Sequence, residues 1–193
     1  MKTARPIAAC WVIAVMLANC AAPPLTVYTL GAPPVPTDTA PLTAKPVIIT
    51  VARVTIPDEL DTTDLVVRDG SALRRSQQGR WASRLSLAIT ERLTRQLAIR
   101  RPDALVTSRP LTETPAYRIL VNIGRLDVPS SGGVTLDADW MIVPGDPAAP
   151  NRRDRGRFTA SGSSATDQDV VTLIGSALDK LADAIEIGRP TRR

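Results

Sequence analysis

Thiol nucleophilicity, carboxylate acid–base work and guanidinium recognition of anions are the chemistries these 193 residues could support. The thiols are Cys10 and Cys20, both near the N-terminus, and there is no histidine. Without histidine neither a Ser/His/Asp nor a Cys/His relay can be assembled. Two cysteines so placed make neither a disulfide framework nor a Cys/His zinc site. A Ser/Lys pair would have to draw on Lys45 or Lys180, the only lysines beyond Lys2. The carboxylates of Asp58, Glu59, Asp61 and Asp64 cluster, but without EF-hand spacing or a ligand-rich glycine loop, so a solvated turn between two strands is expected there. Nucleotide binding has no GxGxxG and no Walker loop to rest on. The expectation is a protein with no catalytic residue, no metal and no cofactor.

Guanidinium groups are the chemistry left. Arg80, Arg84, Arg92, Arg95, Arg100 and Arg101 crowd one amphipathic stretch against Glu91 alone, with Arg74 and Arg75 just before it. At about 100° per residue, Arg84, Arg92 and Arg95 fall near 0°, 80° and 20° around a helix, and Leu93 and Leu97 near 180° and 220°. Such a face either docks an acidic partner or lipid headgroups, or is a solvated surface with arginine chosen for helix propensity. Nucleic acid is not expected as a partner. The net charge of +5 falls to about +3 once Lys2 and Arg5 are set aside, and no aromatic platform accompanies the arginines.

The N-terminus says where the cysteine chemistry belongs. Lys2 and Arg5 form a basic segment, followed by the apolar run "IAACWVIAVMLA" from Ile7 to Ala18. That run has the length of a secretory signal and is too short to span a bilayer. Leu17, Ala18, Asn19 and Cys20 then resemble the lipobox of bacterial lipoproteins, with Asn19 where a Gly, Ala or Ser is usual. The resemblance implies that Cys10 is discarded with the signal, while Cys20 is diacylated, becomes the mature N-terminus and is acylated again on its amine. Acyl chains contribute about 0.8 kcal/mol per buried CH₂, so several of them anchor a domain without making it span. Ala21, not Asp, follows the cysteine, which by the same resemblance implies the outer membrane.

From Cys20 to Pro46 the chain holds seven prolines and almost no charge. It reads as an extended tether, at about 3.1 Å per residue long enough to lift a domain some tens of ångströms. Within it, "VYTLG" (Val27 to Gly31) favours a short extended segment. The apolar, β-branched run Val47–Val54 predicts a strand covered on both faces, and Asp64–Gly70 a second strand closed by a turn. Trp81, Leu85, Ile89, Leu93 and Leu97 recur every four residues, predicting a helix over Arg80–Arg101 that Pro102 stops. Strands are expected over Tyr117–Val128, Val134–Val143 and Arg155–Ser164. Thr166 with Asp169 three residues on opens a last helix whose stripe is Val171, Ile174, Leu178, Leu181 and Ile185, ended by Gly188 and Pro190. The order predicts an α+β fold, a two-layer sandwich of a mostly antiparallel sheet with two amphipathic helices packed on one face. The expected organisation is a signal peptide over 1–19, the lipidated tether over 20–46, one domain over 47–189 and a short tail over 190–193.

The assembled pattern resembles the ABC-type transport auxiliary lipoproteins associated with lipid transporters of the MCE class. The residues carrying the resemblance are "YTL" (Tyr28 to Leu30), "IPDELDTTDLVVRDG" (Ile56 to Gly70) and "RWASRL" (Arg80 to Leu85). The chain departs from the family pattern at Asp58, Glu59 and Thr62. The resemblance implies a non-enzymatic periplasmic component on the outer membrane, working with an MCE-domain protein, its permease and its ATPase. Two other readings stand beside it: a lipid or amphiphile carrier with a cavity between sheet and helices, and a purely structural envelope lipoprotein. Self-association into a homo-oligomer is compatible with each of them.

Overall fold

The computed structural model describes residues 24–31 and 46–187. Within them the chain forms β1 (Thr26–Tyr28), β2 (Val47–Val51), β3 (Asp64–Asp69), β4 (Ala72–Trp81), α1 (Leu85–Arg100), β5 (Ala104–Thr107), β6 (Tyr117–Asp127), β7 (Val134–Pro144), β8 (Arg152–Ala160) and α2 (Asp167–Ala184). The α+β class is as expected, but the strands divide between two mixed sheets. One is ordered β1-β4-β3 and the other β5-β2-β6-β7-β8. Strand β2 runs parallel to both β5 and β6, while β6, β7 and β8 form an antiparallel meander. A parallel neighbour requires a crossover, and α1 lies on the path from β2 to β5.

Alternation decides which face of the larger sheet is buried. Val134, Leu136, Ala138, Trp140 and Ile142 of β7 point inward. The register opposes Ile119 to Ile142, Val121 to Trp140 and Ile123 to Ala138, so both strands bury the same face. Leu85, Ile89, Leu93 and Leu97 of α1, with Val170, Leu173, Ile174, Leu178 and Leu181 of α2, complete one continuous core. Val170 is the buried valine of α2, and Val171 is only half-buried. The capping box forms as the sequence predicts: the Thr166 hydroxyl accepts from the Asp169 amide at 3.2 Å, and the Asp169 carboxylate accepts from the Thr166 amide at 3.1 Å. Gly188 and Pro190 lie outside the described residues.

Several element bounds differ from the sequence expectation. The first helix opens at Leu85, because Arg80 and Trp81 end β4. Trp81 sits four residues before Leu85 and so continues the helical period, yet it is equally in phase with Gly79 on the buried side of a strand. Gly70, at φ +60, opens the two-residue turn that folds β4 back on β3 and opposes Asp69 to Ala72. The short strand β5 was not foreseen either, and β8 begins at Arg152 instead of Arg155.

The largest difference is at the tether. Strand β1 pairs in parallel with β4, opposing Thr26 to Gly79 and Tyr28 to Trp81. The Ala82 amide donates to the Tyr28 carbonyl at 2.8 Å, and Leu30 is buried in the core. The folded domain therefore takes in Thr26–Gly31 rather than starting at Val47. Only five residues, 21–25, separate Cys20 from β1. Pro33, Pro34, Pro36 and Pro41 fall after β1, in the link 32–45.

Candidate docking surface and anchor segment

Arg92 occupies a slot where α1, α2 and the chain after β1 meet. Its Nε and Nη2 donate to the two carboxylate oxygens of Asp179 at 3.1 and 2.8 Å, and its Nη1 donates to the Leu30 carbonyl at 2.8 Å. Arg95 adds a second donor to that carbonyl, from Nη2 at 3.1 Å. Two glycines make the room: a Cβ on Gly31 or Gly175 would stand 3.0 or 3.1 Å from the Arg92 guanidinium. Gly31 also has φ +103, a conformation that side chains disfavour. A planar fork satisfied on three sides is what arginine offers and lysine does not. The side chain of Arg92 is 18% exposed.

Arg84 is placed differently. It precedes α1 and makes no side-chain cap there. Asp61 does the capping instead, accepting from the Ser86 amide at 3.1 Å while pairing with Arg84 at 3.3 Å and Arg53 at 3.4 Å. Burial alone would raise the Asp61 carboxyl, but the Ser86 hydrogen bonds and the charges of Arg84 and Arg53 hold it below the usual aspartate value. Of the acidic cluster, Asp58 and Glu59 are exposed in the turn and Asp64 pairs with Arg75 and Arg80. Of the three arginines that helical arithmetic puts on one side, the structure thus brings Arg92 and Arg95 together on Leu30. Arg84 stays apart, its side chain 59% exposed. Cys20 lies outside the described residues.

Sequence reasoning missed a second arginine–carboxylate centre, which joins the two sheets. Asp127, at the end of β6, is buried and bonded by Arg68 of β3 and by Arg125, at 3.0 and 2.8 Å for the latter. Beside it, the Arg68 amide donates to the Val128 carbonyl at 2.8 Å. Burial would raise the Asp127 carboxyl, and the two guanidinium groups together outweigh it and lower it. A carboxyl lowered in the folded state adds stability above its unfolded value of about 3.9, and that stability is lost as pH falls through the folded value. Asp127→Asn is therefore expected to cost about 1–3 kcal/mol at neutral pH. Urea titrations repeated down the acid range should show wild type and variant converging below the ordinary aspartate value.

Strand β8 is the other feature whose place only the fold reveals. Its Arg152, Arg153, Arg155 and Arg157 lie on an edge strand. The run "RRDRGR" is visible as charge in the sequence, but not as an edge. Arg157 clasps Asp137 at 2.6 and 2.9 Å across the outer face, and charge along an edge discourages pairing with another chain. The depression next to it, lined by Gly124, Asp137, Asp139, Arg155 and Arg157, holds about 490 Å³ and opens to solvent.

The space beneath the helices holds a small cavity. Among Leu60, Trp81, Leu85, Leu126, Val128 and Ile174 the cavity measures about 20 Å³, room for about one water. No three His, Cys, Asp or Glu side chains converge as metal ligands among the described residues. No described helix is long and apolar enough to cross a membrane.

A family model described as "ABC-type transport auxiliary lipoprotein component" matches residues 28–186. No curated protein matches the chain. Among solved structures, one described only as an uncharacterized protein is similar at TM-score 0.66 and 16% identity, covering 84% of this chain and 97% of its own. Protein XCC0632 from Xanthomonas campestris, of the DUF330 family, is similar at TM-score 0.61 and 15% identity, covering 83% of this chain and 92% of its own. At these identities the likeness is one of fold.

Proposed function

The chain belongs to the ABC-type transport auxiliary lipoprotein component family, and from that premise we propose that it serves an MCE-type lipid transporter as a non-enzymatic periplasmic subunit. In this reading Cys20 carries the acyl chains, the outer membrane holds them, and an MCE-domain protein is the partner. The observation that carries it is the span of the family match. It begins at Tyr28 on β1 and ends beyond α2, so it covers both sheets and both helices.

Partner docking falls first to Arg84. Arg92 and Arg95 also belong to the basic face that the sequence outlines, but both hold Leu30 in place. Arg84 keeps most of its surface. Rim charges steer association, and their effect fades with salt. Affinity capture from an envelope extract tests the function directly. The wild-type chain should bring down an MCE-domain protein, and Arg84→Glu should bring down less at low ionic strength. Capture without any MCE-domain protein sinks the transport reading.

Acylation has its own test. Labelling with a fatty-acid probe is expected to disappear in Cys20→Ala and to persist in Cys10→Ala. Label retained in Cys20→Ala would move the anchor elsewhere.

A further inference from the structure

The outer face of the three-stranded sheet carries a feature that the transport function leaves unused. Val27 opposes Arg80 on β4, and Arg80 opposes Asp64 on β3, so the three share one side of the sheet. Leu25, two residues before Val27, falls on the same side by the alternation of an extended chain. The side opposite is the core side, where Gly79 and Trp81 are buried and Tyr28 half-buried. Leu25 is 56% and Val27 57% exposed. The other exposed large apolar side chains, Leu87, Ile99 and Leu111, lie on α1 and on the loop after β5. Arg80 stands beside Val27, and Arg75 and Arg80 share Asp64, at 3.2 and 3.1 Å. Two guanidinium groups against one carboxylate leave the face with a net positive charge.

We propose that this face, Leu25 and Val27 with Arg75 and Arg80, rests on the phospholipid surface that holds the acyl chains of Cys20. The proposal depends on the lipoprotein reading and adds an orientation to it. Chain length commits the occupant. Leu25 is five residues from Cys20, so at about 3.3–3.6 Å per residue it lies within about 18 Å of the acylated residue. Val27, fixed in β1, is within about 25 Å by the same limit. A tether of more than twenty residues would let the domain float free of the membrane. Five residues do not, and the face that the chain enters is the face that exposes leucine and valine. Apolar side chains at that height enter the boundary between headgroups and acyl chains, and neighbouring arginines meet phosphate oxygens. The face therefore suits a bilayer better than open water, where its two aliphatic side chains gain nothing.

The experiment uses the full lipidated chain in vesicles of phosphatidylethanolamine and phosphatidylglycerol, with no other protein present. Once the signal segment is gone and Cys20 is acylated, a single introduced cysteine takes an environment-sensitive fluorophore. It is placed at Val27→Cys or, as the comparison, at Ala148→Cys in the exposed turn between β7 and β8 of the other sheet. Intact mass of the N-terminal peptide reports acylation first. An unacylated Cys20 overturns the lipoprotein reading for this chain, and this proposal with it. With acylation present, the label at position 27 should shift to the blue, brighten severalfold over the detergent-solubilised protein, and be quenched by headgroup spin labels, while the label at 148 stays unchanged. An unshifted label at 27, or equal responses at both positions, overturns the membrane contact and leaves the anchor standing. A label at 27 that responds only when the chain dimerises in detergent overturns it in favour of a second copy on the β1 edge.

Discussion

Leu93→Ala should be among the most destabilising substitutions in this domain, at about 3–5 kcal/mol. Leu93 is fully buried in the middle of α1, within the single core that the two helices and both sheets share. Its removal leaves a hole bounded by elements that cannot collapse independently, since α1 is fixed at its start by Asp61 and at its centre by Arg92. The cost is then the lost burial plus a cavity that stays open. Equilibrium urea unfolding of the unlipidated chain measures it. A change below about 0.5 kcal/mol, the range of ordinary surface substitutions, would place Leu93 outside the core.

Arg92→Glu is expected to follow, at about 2–4 kcal/mol, because each hydrogen bond to a charged group contributes about 1.5–3 kcal/mol and the two carboxylates then repel. The substitution takes both donors from Asp179 and one from the Leu30 carbonyl, and sets a carboxylate opposite Asp179. For a chain of this size that corresponds to a melting temperature lower by about 5–15 °C. Arg95→Glu gives the informative contrast. Arg95 makes a single bond, to a carbonyl that Arg92 also serves, so its loss should cost about 1 kcal/mol or less. Equal and negligible shifts for the two variants would mean that the guanidinium slot holds nothing together. Limited proteolysis adds a local readout: Arg92→Glu should expose the chain near Leu30 before the rest of the domain opens.

These two residues show where a single sequence is readable. Leu93 was legible because a core leucine announces itself by period: Leu85, Ile89, Leu93 and Leu97 repeat every four residues, and burial of one helix face demands it. Arg92 shares the helix and was legible only as a charge on its polar side. Which carboxylate or carbonyl an arginine finds depends on Asp179, 87 residues further on, and on Leu30, 62 residues back. No local pattern encodes such distances.

The amino-acid sequence by itself determined the α+β class, most of the buried stripe of each helix, the α2 capping box and the family resemblance. Each follows from residue type or from spacings of two to four positions, because hydrogen-bond and packing periods within one element are short-range. Tertiary structure alone decided that β1 leaves the tether for the small sheet, that the strands separate into two sheets, and that Trp81 belongs to a strand. It also decided that Arg92 and Arg95 turn inward while Arg84 stays out. The physical reason is the same for all four. A three-residue strand such as β1 has no period to read, and its pairing with β4, more than fifty residues away, is stabilised by backbone hydrogen bonds and by the burial of Leu30 in a core built from distant elements.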